Sequence, residues 1–323
     1  GLWSTEQDNM IETAHASYRG MKVHSLYSET RCPTTEMLEG LDLLVVDLQD
    51  VGTRVYTYVW TLTYCLEACA KQGIDLLVLD RPNPLGGKVA EGCALDMAFQ
   101  SFVGRAAIPM RHGMTIGELA IYCNQVLEIG CEVNVIRMHN WQRKMLWQDT
   151  QRAWVPPSPN LPRIEGAMLY PGQVLLEGTN VSEARGTTTP FEQFGSPWID
   201  ARELANALPE MEGARLRAVT YEPTFQKWQG KACHGLFLHI TNARSFRPYQ
   251  TTLLVLRELR RLYGKQLAWN KPPYEYEETL MPIDILTGGS GVRQFVDRNG
   301  SDQELYELSQ EPEHWWQYVK DWL

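Results

Sequence analysis

The sequence predicts an α/β fold, in which a Rossmann-like parallel sheet with helices on its faces is followed by a smaller mixed α+β domain. Two apolar runs, residues 41–46 and 74–79, each end in polar residues, as buried parallel strands do. Between them, residues 55–71 repeat apolar side chains at helical spacing. A further helix and strand follow, and this alternation favours a parallel sheet.

The first elements have clear ends in the sequence. Gly73 supplies the stop for the first long helix, and Pro82 and Pro84 prevent the second strand from continuing. In parallel sheets, ligands bind outside the carboxyl ends of the strands. We therefore expect functional side chains within residues 47–54 and 80–83.

Thr115 and Glu118 form a capping box that opens the next helix, and residues 131–138 form the third predicted strand. The composition then changes to a proline-rich stretch and a glycine- and threonine-rich one. We therefore place a Rossmann-like domain at 1–150 and a mixed α+β domain at 151–323. The elements predicted in the second domain are a helix from about Ala201 capped by Asp200, a strand at 235–241, a helix at 249–263 and a last helix opened by Ser301 and Glu304.

Composition excludes several classes of function. The formal net charge is −9 without a basic run, which disfavours binding to nucleic acid. No apolar stretch approaches the roughly 20 residues of a membrane span, and no signal peptide is visible. The seven cysteines form no CxxC pair, so reduced, buried thiols are favoured over disulfides, and core packing of Cys65 and Cys69 over metal binding. No Gly-x-Gly-x-x-Gly follows a predicted strand, and we expect no cofactor.

Residues 49–58 form the first segment with side chains suited to chemistry. Arg54 can clamp a carboxylate through two hydrogen bonds, and Tyr56 and Tyr58 offer hydroxyl groups and flat faces. The structural alternative pairs Arg54 with Asp50 and packs the tyrosines between sheet and helix.

Two further segments carry titratable groups. Glu91 lies in a glycine-rich stretch after a proline-stiffened loop, which makes it the leading acid/base candidate. The alternative is that Asp80 and Arg81 form a structural ion pair and that Glu91 is solvated. His112, just ahead of the capped helix, can carry a proton, or it can anchor its own loop.

Residues 176–187 form the fourth segment. If it is extended, Glu177, Glu183 and Arg185 share a face because side chains alternate along a strand. Two adjacent carboxyl groups then acquire different pKa values, as a glycosidase requires. The alternative is a surface hairpin with compensated charges. Three aromatic residues border these segments and either form a stacking wall for a sugar ring or pack between domains: Trp154, Tyr170 and Trp198.

Several long motifs, in the same order, resemble the NamZ-type exo-β-N-acetylmuramidase family. They are QDVGTRVYTY at 49–58, DRPNPLGG at 80–87, EGCALD at 91–96, IPMRHGMTIGELA at 108–120, PPSPNLP at 156–162 and YPGQVLLEGTNVSEARGTTTPFEQFGSPW at 170–198. The similarity covers most of the chain and thins after about residue 245. Family members usually have a further strand, a helix and a Pro-Glu-His-Gly segment whose glycine corresponds to Gly1, so an amino-terminal segment is expected to be missing here. Cys93 stands where relatives commonly have proline.

The resemblance implies a hydrolase with its active site in the cleft between the two domains and with no cofactor or metal. Its substrate would be terminal β-1,4-linked N-acetylmuramic acid, as in MurNAc-GlcNAc, released from the non-reducing end. The catalytic candidates are Glu91 as general acid, Glu177 or Glu183 as the second carboxylate, and His112. Arg54 or Arg185 would bind the lactyl carboxylate. Ten residues are predicted to contact the substrate: Asp50, Arg54, Tyr56, Tyr58, Asp80, Arg81, Asn83, Asn160, Asn180 and Arg185.

Two other functions compete with this hypothesis. A non-catalytic muropeptide- or sugar-binding protein would use the same cleft without turnover. An amidase or esterase would need an activated serine or cysteine, and no Gly-x-Ser-x-Gly motif is present. The compartment stays open, because unpaired cysteines favour a reducing space while relatives that act on the cell wall are often exported. The oligomeric state stays open as well.

Overall fold

The computed structural model describes residues 12–323 of the chain. The expectation about the amino-terminal end concerns residues 1–11 and whatever precedes them, so it lies outside the described residues.

The described chain alternates strands and helices in its first half and mixes them in its second. The strands are β1 (Ala16–Tyr18), β2 (Met21–Val23), β3 (Leu43–Val46), β4 (Asp75–Leu79), β5 (Glu91–Ala94), β6 (Pro109–Arg111), β7 (Val133–Ile136), β8 (Gln193–Ser196), β9 (Ala214–Tyr221) and β10 (Cys233–Ile240). The α-helices are α1 (Thr35–Leu38), α2 (Tyr58–Gln72), α3 (Ile116–Val126), α4 (Ile164–Gln173), α5 (Ala201–Ala207), α6 (Pro248–Tyr263), α7 (Pro282–Thr287), α8 (Gly291–Asp297), α9 (Asp302–Ser309) and α10 (Trp315–Tyr318).

The predicted parallel sheet is present, with the strand order β3-β4-β7. Its register places Leu43 of β3 opposite Asp75 of β4. The helix α2 ends at Gly73, whose φ of 65° is the left-handed conformation that commonly terminates helices. The capping box of Thr115 and Glu118 opens α3, as predicted. Local sequence signals therefore located the three parallel strands and the helices α2 and α3 correctly.

The burial of β3 differs from the prediction. Val46 is buried, but Leu43 is 45% and Val45 49% exposed. Side chains two residues apart share one face of a strand, so one face of β3 is only about half covered by the described residues. The continuous apolar run predicted burial on both faces. That prediction is wrong for the face of Leu43 and Val45, because neighbouring elements do not bury it.

The second half contains an antiparallel sheet with the order β8-β10-β9. Gly235 of β10 lies opposite Gly195 of β8, and a Cβ on Gly235 would lie 1.9 Å from the carbonyl oxygen of Phe194. The capping box of Ser301 and Glu304 opens α9 as predicted. The strands β5, β6, β8 and β9 were not predicted. Three of them have only three or four residues, which is too few for a period of two to stand out.

Two apolar cores hold the molecule together, one around α2, α3 and the parallel sheet and one around α4 and α6. The two cores do not correspond strictly to the two halves of the chain. Val51 and Val55 from the first half belong to the second core, and Trp315 near the carboxyl end packs on Tyr122 of α3 with ring centroids 6.3 Å apart. A division of the chain at residue 150 stays a prediction.

The thiols are reduced in the structure, and five of the cysteines are buried. Cys93 is exposed, in contrast to the expectation of buried thiols. Among the described helices, none has the length and apolar content that crossing a membrane requires.

A buried carboxyl group just before β8 gives the fold a pH-dependent stability. The Glu192 side chain is 2% exposed and lies 3.3 Å from Nε of the half-exposed Arg163. Burial raises the pKa of Glu192 from 4.5 to about 7, against the lowering effect of Arg163. Between these two pH values the folded chain keeps a proton that the unfolded chain loses. The free energy of unfolding therefore falls as the pH rises through this window.

We expect Glu192→Gln to raise the free energy of unfolding by about 2 kcal/mol at pH 8 and to change it little at pH 5. Urea denaturation at the two pH values measures the difference. Glu165→Gln is the matched control, because the half-exposed Glu165 lies 3.4 Å from the same Arg163 nitrogen. An equal effect of Glu192→Gln at both pH values would show that the buried charge does not control this dependence.

Candidate active site

A cavity lined by both halves of the chain brings together five of the predicted site residues, Tyr56, Tyr58, Asn160, Glu177 and Arg185. Its other lining residues are Thr13, Ser25, Tyr27, Val55, Thr57, Pro157, Ser158, Pro159, Leu161, Tyr170, Val174, Phe191, Tyr274 and Glu275. The walls combine aromatic rings with carboxyl groups and a guanidinium. Such a surface suits a ligand with a flat apolar face and several polar groups.

Aromatic rings form one wall of this cavity. The ring centroid of Tyr56 lies 4.9 Å from that of Tyr58 and 6.1 Å from that of Tyr170, and both pairs pack edge to face. Tyr170 packs against Phe191 in the same way, at 4.9 Å. The Tyr58 hydroxyl donates a 2.8 Å hydrogen bond to the carbonyl oxygen of Pro157. This bond ties the start of α2 to the proline-rich loop, so the wall is held from both sides.

Glu177 presents its carboxyl group to the cavity. It lies on the 3-10 helix Val174–Gly178, which continues α4, and its side chain is 10% exposed. Its Oε1 accepts a 2.5 Å hydrogen bond from Nη2 of Arg185, and its Oε2 accepts one of 2.7 Å from the Tyr274 hydroxyl. Both oxygens are therefore held in a fixed orientation.

Glu183 lies behind Arg185 and does not line the cavity. One of its oxygens is 3.8 Å from Nε of Arg185, and the other accepts a 2.9 Å hydrogen bond from Nζ of Lys227. The same ammonium group donates to the carbonyl oxygens of Leu176, at 2.8 Å, and Val181, at 3.1 Å. Lys227 thus fixes the backbone on both sides of Glu177 and neutralises Glu183.

The segment carrying these residues converges by a different route from the predicted one. It is not extended, because Glu177 lies in a helical turn and Ala184 has a φ of 62°. It is not a surface hairpin either, since Glu183 is 1% exposed. Glu183 and Arg185 lie on either side of the left-handed turn at Ala184. Their side chains meet at this turn and not through alternation along a strand.

The surroundings shift the pKa values of the two glutamates in opposite directions. Burial raises the pKa of Glu177, Arg185 opposes that shift, and Glu183 adds to it. Burial also acts on Glu183, but Lys227 and Arg185 outweigh it, so the pKa of Glu183 lies below its ordinary value. Hydrolysis of a glycosidic bond needs one carboxyl group that keeps its proton, which Glu177 can supply.

Four residues at this site were not predicted from the sequence. Tyr274 and Glu275 line the cavity from a loop before α7, and Glu275 is 7% exposed. Lys227 comes from the loop between β9 and β10, and Tyr27 comes from the loop after β2. Tyrosines and glutamates alternate over 274–277, directly after a pair of prolines. That pattern on a stiff loop is the signal that could have identified Tyr274 and Glu275.

Glu91 lies away from this cavity. Its Oε1 is 2.7 Å from Nη1 of Arg111, and its Oε2 accepts a 3.2 Å hydrogen bond from the backbone N–H of Tyr249. Burial raises the pKa of Glu91, and Arg111 opposes that shift. Glu91 begins the buried strand β5 and lines a separate small cavity with Arg247. The structure therefore does not bring Glu91 and Glu177 together, and Glu91 is not solvated either.

Arg54 is completely buried and does not reach the cavity. Its Nη1 donates a 3.1 Å hydrogen bond to the carbonyl oxygen of Ile108, and its Nη2 donates one of 2.7 Å to that of Leu286. Burial lowers the pKa of Arg54 to about 10, so the group stays charged at neutral pH. Neither sequence interpretation describes this residue, because it binds backbone carbonyls rather than a substrate or Asp50.

Asp50 and His112 form a buried pair and do not line the cavity. Nε2 of His112 lies 3.3 Å from Oδ2 of Asp50, and Nδ1 of His112 accepts a 3.1 Å hydrogen bond from the backbone N–H of Met114. Asp50 also accepts a 2.6 Å hydrogen bond from the backbone N–H of Gly52. Both side chains anchor their own loops, which is the structural alternative for His112.

Asp80 and Arg81 lie at the carboxyl ends of the parallel strands, where a second cavity is found. Asp80 accepts hydrogen bonds from the Thr115 hydroxyl at 3.0 Å and from the backbone N–H of Gly117 at 2.8 Å, and so anchors the start of α3. Arg81 binds Asp47 through two hydrogen bonds, of 2.5 and 2.9 Å. The two neighbours therefore do not pair with each other.

The two remaining predicted residues bind backbone. Asn83 donates to the carbonyl oxygen of Met114, at 2.9 Å. Asn180 donates to that of Gln266, at 2.8 Å, and accepts from the N–H of Ala268, at 3.0 Å. Within residues 12–323, no group of three or more His, Cys, Asp or Glu side chains is arranged to hold a metal ion.

Comparison with known proteins identifies the relatives of this chain. The family model described as exo-β-N-acetylmuramidase NamZ, N-terminal, matches residues 1–165, and that for the C-terminal part matches residues 168–322. The chain is 43% identical over 287 residues to the peptidoglycan β-N-acetylmuramidase NamZ of Bacillus subtilis (strain 168), which covers 88% of this chain and 67% of that protein.

Solved structures agree with the fold. A DUF1343 family protein from Bacteroides fragilis NCTC 9343 superposes with a TM-score of 0.83 at 31% identity, covering 96% of this chain and 79% of that one. A second DUF1343 family protein from the same organism superposes with a TM-score of 0.68 at 28% identity, covering 90% and 77% of the two chains.

Proposed function

Because the chain belongs to the exo-β-N-acetylmuramidase NamZ family, we propose that it is an exo-acting glycoside hydrolase. It removes terminal β-1,4-linked N-acetylmuramic acid from the non-reducing end of peptidoglycan fragments such as MurNAc-GlcNAc. The observation that carries this proposal is the carboxyl group of Glu177, which faces the aromatic cavity with a raised pKa. The terminal sugar occupies that cavity, and the rest of the fragment extends from its mouth.

Glu177 is the proton donor in this proposal. Its raised pKa keeps a fraction of the group protonated where an ordinary glutamate is ionised. As the bond between C1 of the sugar and the leaving oxygen breaks, Glu177 transfers its proton to that oxygen, and water adds to C1 and gives up a proton. Tyr274 and Arg185 hold the two carboxyl oxygens, so the donor is oriented before the sugar binds.

Glu275 is the second carboxyl group in this proposal, because it lines the same cavity. Positive charge develops on C1 and the ring oxygen in the transition state, and a carboxylate beside them stabilises it. Glu183 has a different role. It stays ionised between Lys227 and Arg185 and thereby holds Arg185 against Glu177.

The release of nitrophenol from para-nitrophenyl β-N-acetylmuramide tests the proposed function. Turnover of this compound, together with release of only the terminal sugar from MurNAc-GlcNAc-MurNAc-GlcNAc, is the expected result. Binding of MurNAc-GlcNAc without any release of sugar would refute hydrolysis and favour a sugar-binding protein. Release of the peptide or acyl part of a muropeptide, abolished by a serine or cysteine reagent, would favour an amidase or esterase.

Arg185 is the proposed partner of the lactyl carboxylate that distinguishes N-acetylmuramic acid from N-acetylglucosamine. It lines the cavity and holds its guanidinium beside Glu177. A planar guanidinium matches a carboxylate, whereas an ammonium group on a flexible stem does so less well.

We expect Arg185→Lys to reduce the preference for the muramide over the glucosaminide by about tenfold or more. The ratio of kcat/KM for para-nitrophenyl β-N-acetylmuramide to kcat/KM for the corresponding glucosaminide measures this preference. A change in the acidity of Glu177 alters both values alike, so it cancels in the ratio. Arg202→Lys, at an exposed position on α5, is the control and should leave the ratio unchanged. An unchanged ratio in Arg185→Lys would assign lactyl recognition to another group.

A further inference from the structure

The second cavity lies where parallel sheets commonly bind ligands. It is bounded by residues that directly follow the three parallel strands: Asp47 after β3, Asp80 and Arg81 after β4, and Arg137 after β7. The proposed catalytic cavity does not use this edge of the sheet. The edge therefore offers a preorganised concave surface without an assigned role.

The carboxylates of this second cavity are already bound, whereas several of its cations are not. Asp47 pairs with Arg81, and Asp149 pairs with Arg244 at 2.7 Å. Arg137 and Arg152 have no ion pair with any residue in 12–323. Asp80, the third carboxylate of the cavity, accepts hydrogen bonds from Thr115 and Gly117. Arg137 and Arg152 can therefore pair with a negatively charged ligand.

A buried indole group in the same cavity lacks a partner. Trp147 is 6% exposed and lines the cavity, yet its Nε1 makes no hydrogen bond within the described part of the chain. Leaving a buried donor without a partner costs about 1–3 kcal/mol, so such groups are normally satisfied by a ligand or water. Trp141 also lines this cavity with an unpartnered indole nitrogen. Indole rings and N–H donors together are typical of sugar-binding surfaces.

Contacts connect this cavity to the catalytic one. The ring of Trp147 packs edge to face on Trp154, with centroids 5.0 Å apart. The indole N–H of Trp154 donates a 3.0 Å hydrogen bond to the carbonyl oxygen of Leu161, which lines the catalytic cavity. Two tryptophans therefore separate the cavities.

We propose that the second cavity binds the part of the peptidoglycan fragment beyond the cleaved bond, through a carboxylate carried by its next N-acetylmuramic acid. This inference rests on the proposed function and adds a second saccharide site to it. Arg137 and Arg152 bind the carboxylate, and Trp141 and Trp147 contact the sugar rings. The carboxylate is either the lactyl group itself or the stem peptide attached to it.

Kinetics with short and long substrates test this inference. In Arg137→Gln/Arg152→Gln, KM for MurNAc-GlcNAc-MurNAc-GlcNAc should rise about fivefold or more, because each exposed ion pair contributes up to about 1 kcal/mol. KM for para-nitrophenyl β-N-acetylmuramide, which fills only the catalytic cavity, should not change. Trp147→Phe keeps an aromatic ring, although a smaller one, but removes the N–H and should act in the same direction. Arg202→Gln is the exposed control. An equal rise for both substrates, or no rise for either, would overturn the inference.

Calorimetric binding separates this inference from the proposed function. In a Glu177→Gln background, the tetrasaccharide should bind more tightly than MurNAc-GlcNAc, and Arg137→Gln/Arg152→Gln should abolish that difference. This holds even if no form of the protein turns over sugar. A tetrasaccharide with a stem peptide on its second muramic acid should bind more tightly still if the peptide supplies the carboxylate. It should bind less tightly if the lactyl group does, because the amide bond to the peptide removes the lactyl carboxylate. Equal affinity of the unmodified cavity for short and long fragments would refute a second site.

Discussion

Glu177→Gln is expected to lower kcat/KM for para-nitrophenyl β-N-acetylmuramide by about 100-fold or more. A positioned acid or base contributes about 10²- to 10⁴-fold, and glutamine keeps the size of the side chain while removing its proton. The catalysis of the unmodified chain should also fall as the pH rises through the raised pKa of Glu177, because the acid form is the active one. The variant should lack that limb of its pH profile.

Two matched variants make this result specific. Glu278→Gln changes an exposed glutamate on the loop that carries Tyr274 and should leave kcat/KM unchanged. Glu91→Gln should lower it less than about tenfold, because Glu91 lies in a different cavity. A larger loss in Glu91→Gln than in Glu177→Gln would restore Glu91 as general acid. Circular dichroism of each variant shows whether the fold is retained.

Arg54→Met is expected to lower the free energy of unfolding by about 3 kcal/mol or more. The methionine fills part of the space, but it leaves the carbonyl oxygens of Ile108 and Leu286 buried without their donors. Leu286 belongs to α7, so the lost bonds connect distant parts of the chain. Urea denaturation measures the change. Arg81→Met removes a partly exposed arginine from its ion pair with Asp47 and should cost less than about 1 kcal/mol.

Activity distinguishes the two possible roles of Arg54. If it is purely structural, Arg54→Met should keep its KM for the muramide at a temperature where the variant is folded. A variant of unchanged stability whose KM rises for the muramide but not for the glucosaminide would show that Arg54 binds the lactyl carboxylate. That outcome would contradict the burial of its side chain.

The charge relationships within the site could be predicted only in part. The sequence indicated that Glu177, Glu183 and Arg185 act together, and the structure places them in contact. It did not indicate Lys227, which lies 44 positions beyond Glu183 along the chain. A lysine in a loop between two strands has no local pattern that relates it to a distant carboxylate. Only the folded backbone brings the two charges together.

The sequence by itself determined the class of fold, the positions of the parallel strands and the helix ends, and the family. Periodicity, caps and glycine stops act over a few residues, so they can be read directly from neighbouring letters. Long motifs such as QDVGTRVYTY likewise need no coordinates to be matched.

The tertiary structure decided which of the polar residues in the family motifs face one cavity. Arg54, Glu91 and His112 fall in such motifs but bind groups within the protein, whereas Tyr274 and Glu275 outside them line the cavity. The physical reason is that burial and the distance between charges depend on contacts between residues far apart in the chain. Those contacts also set the raised pKa of Glu177 and the lowered pKa of Glu183.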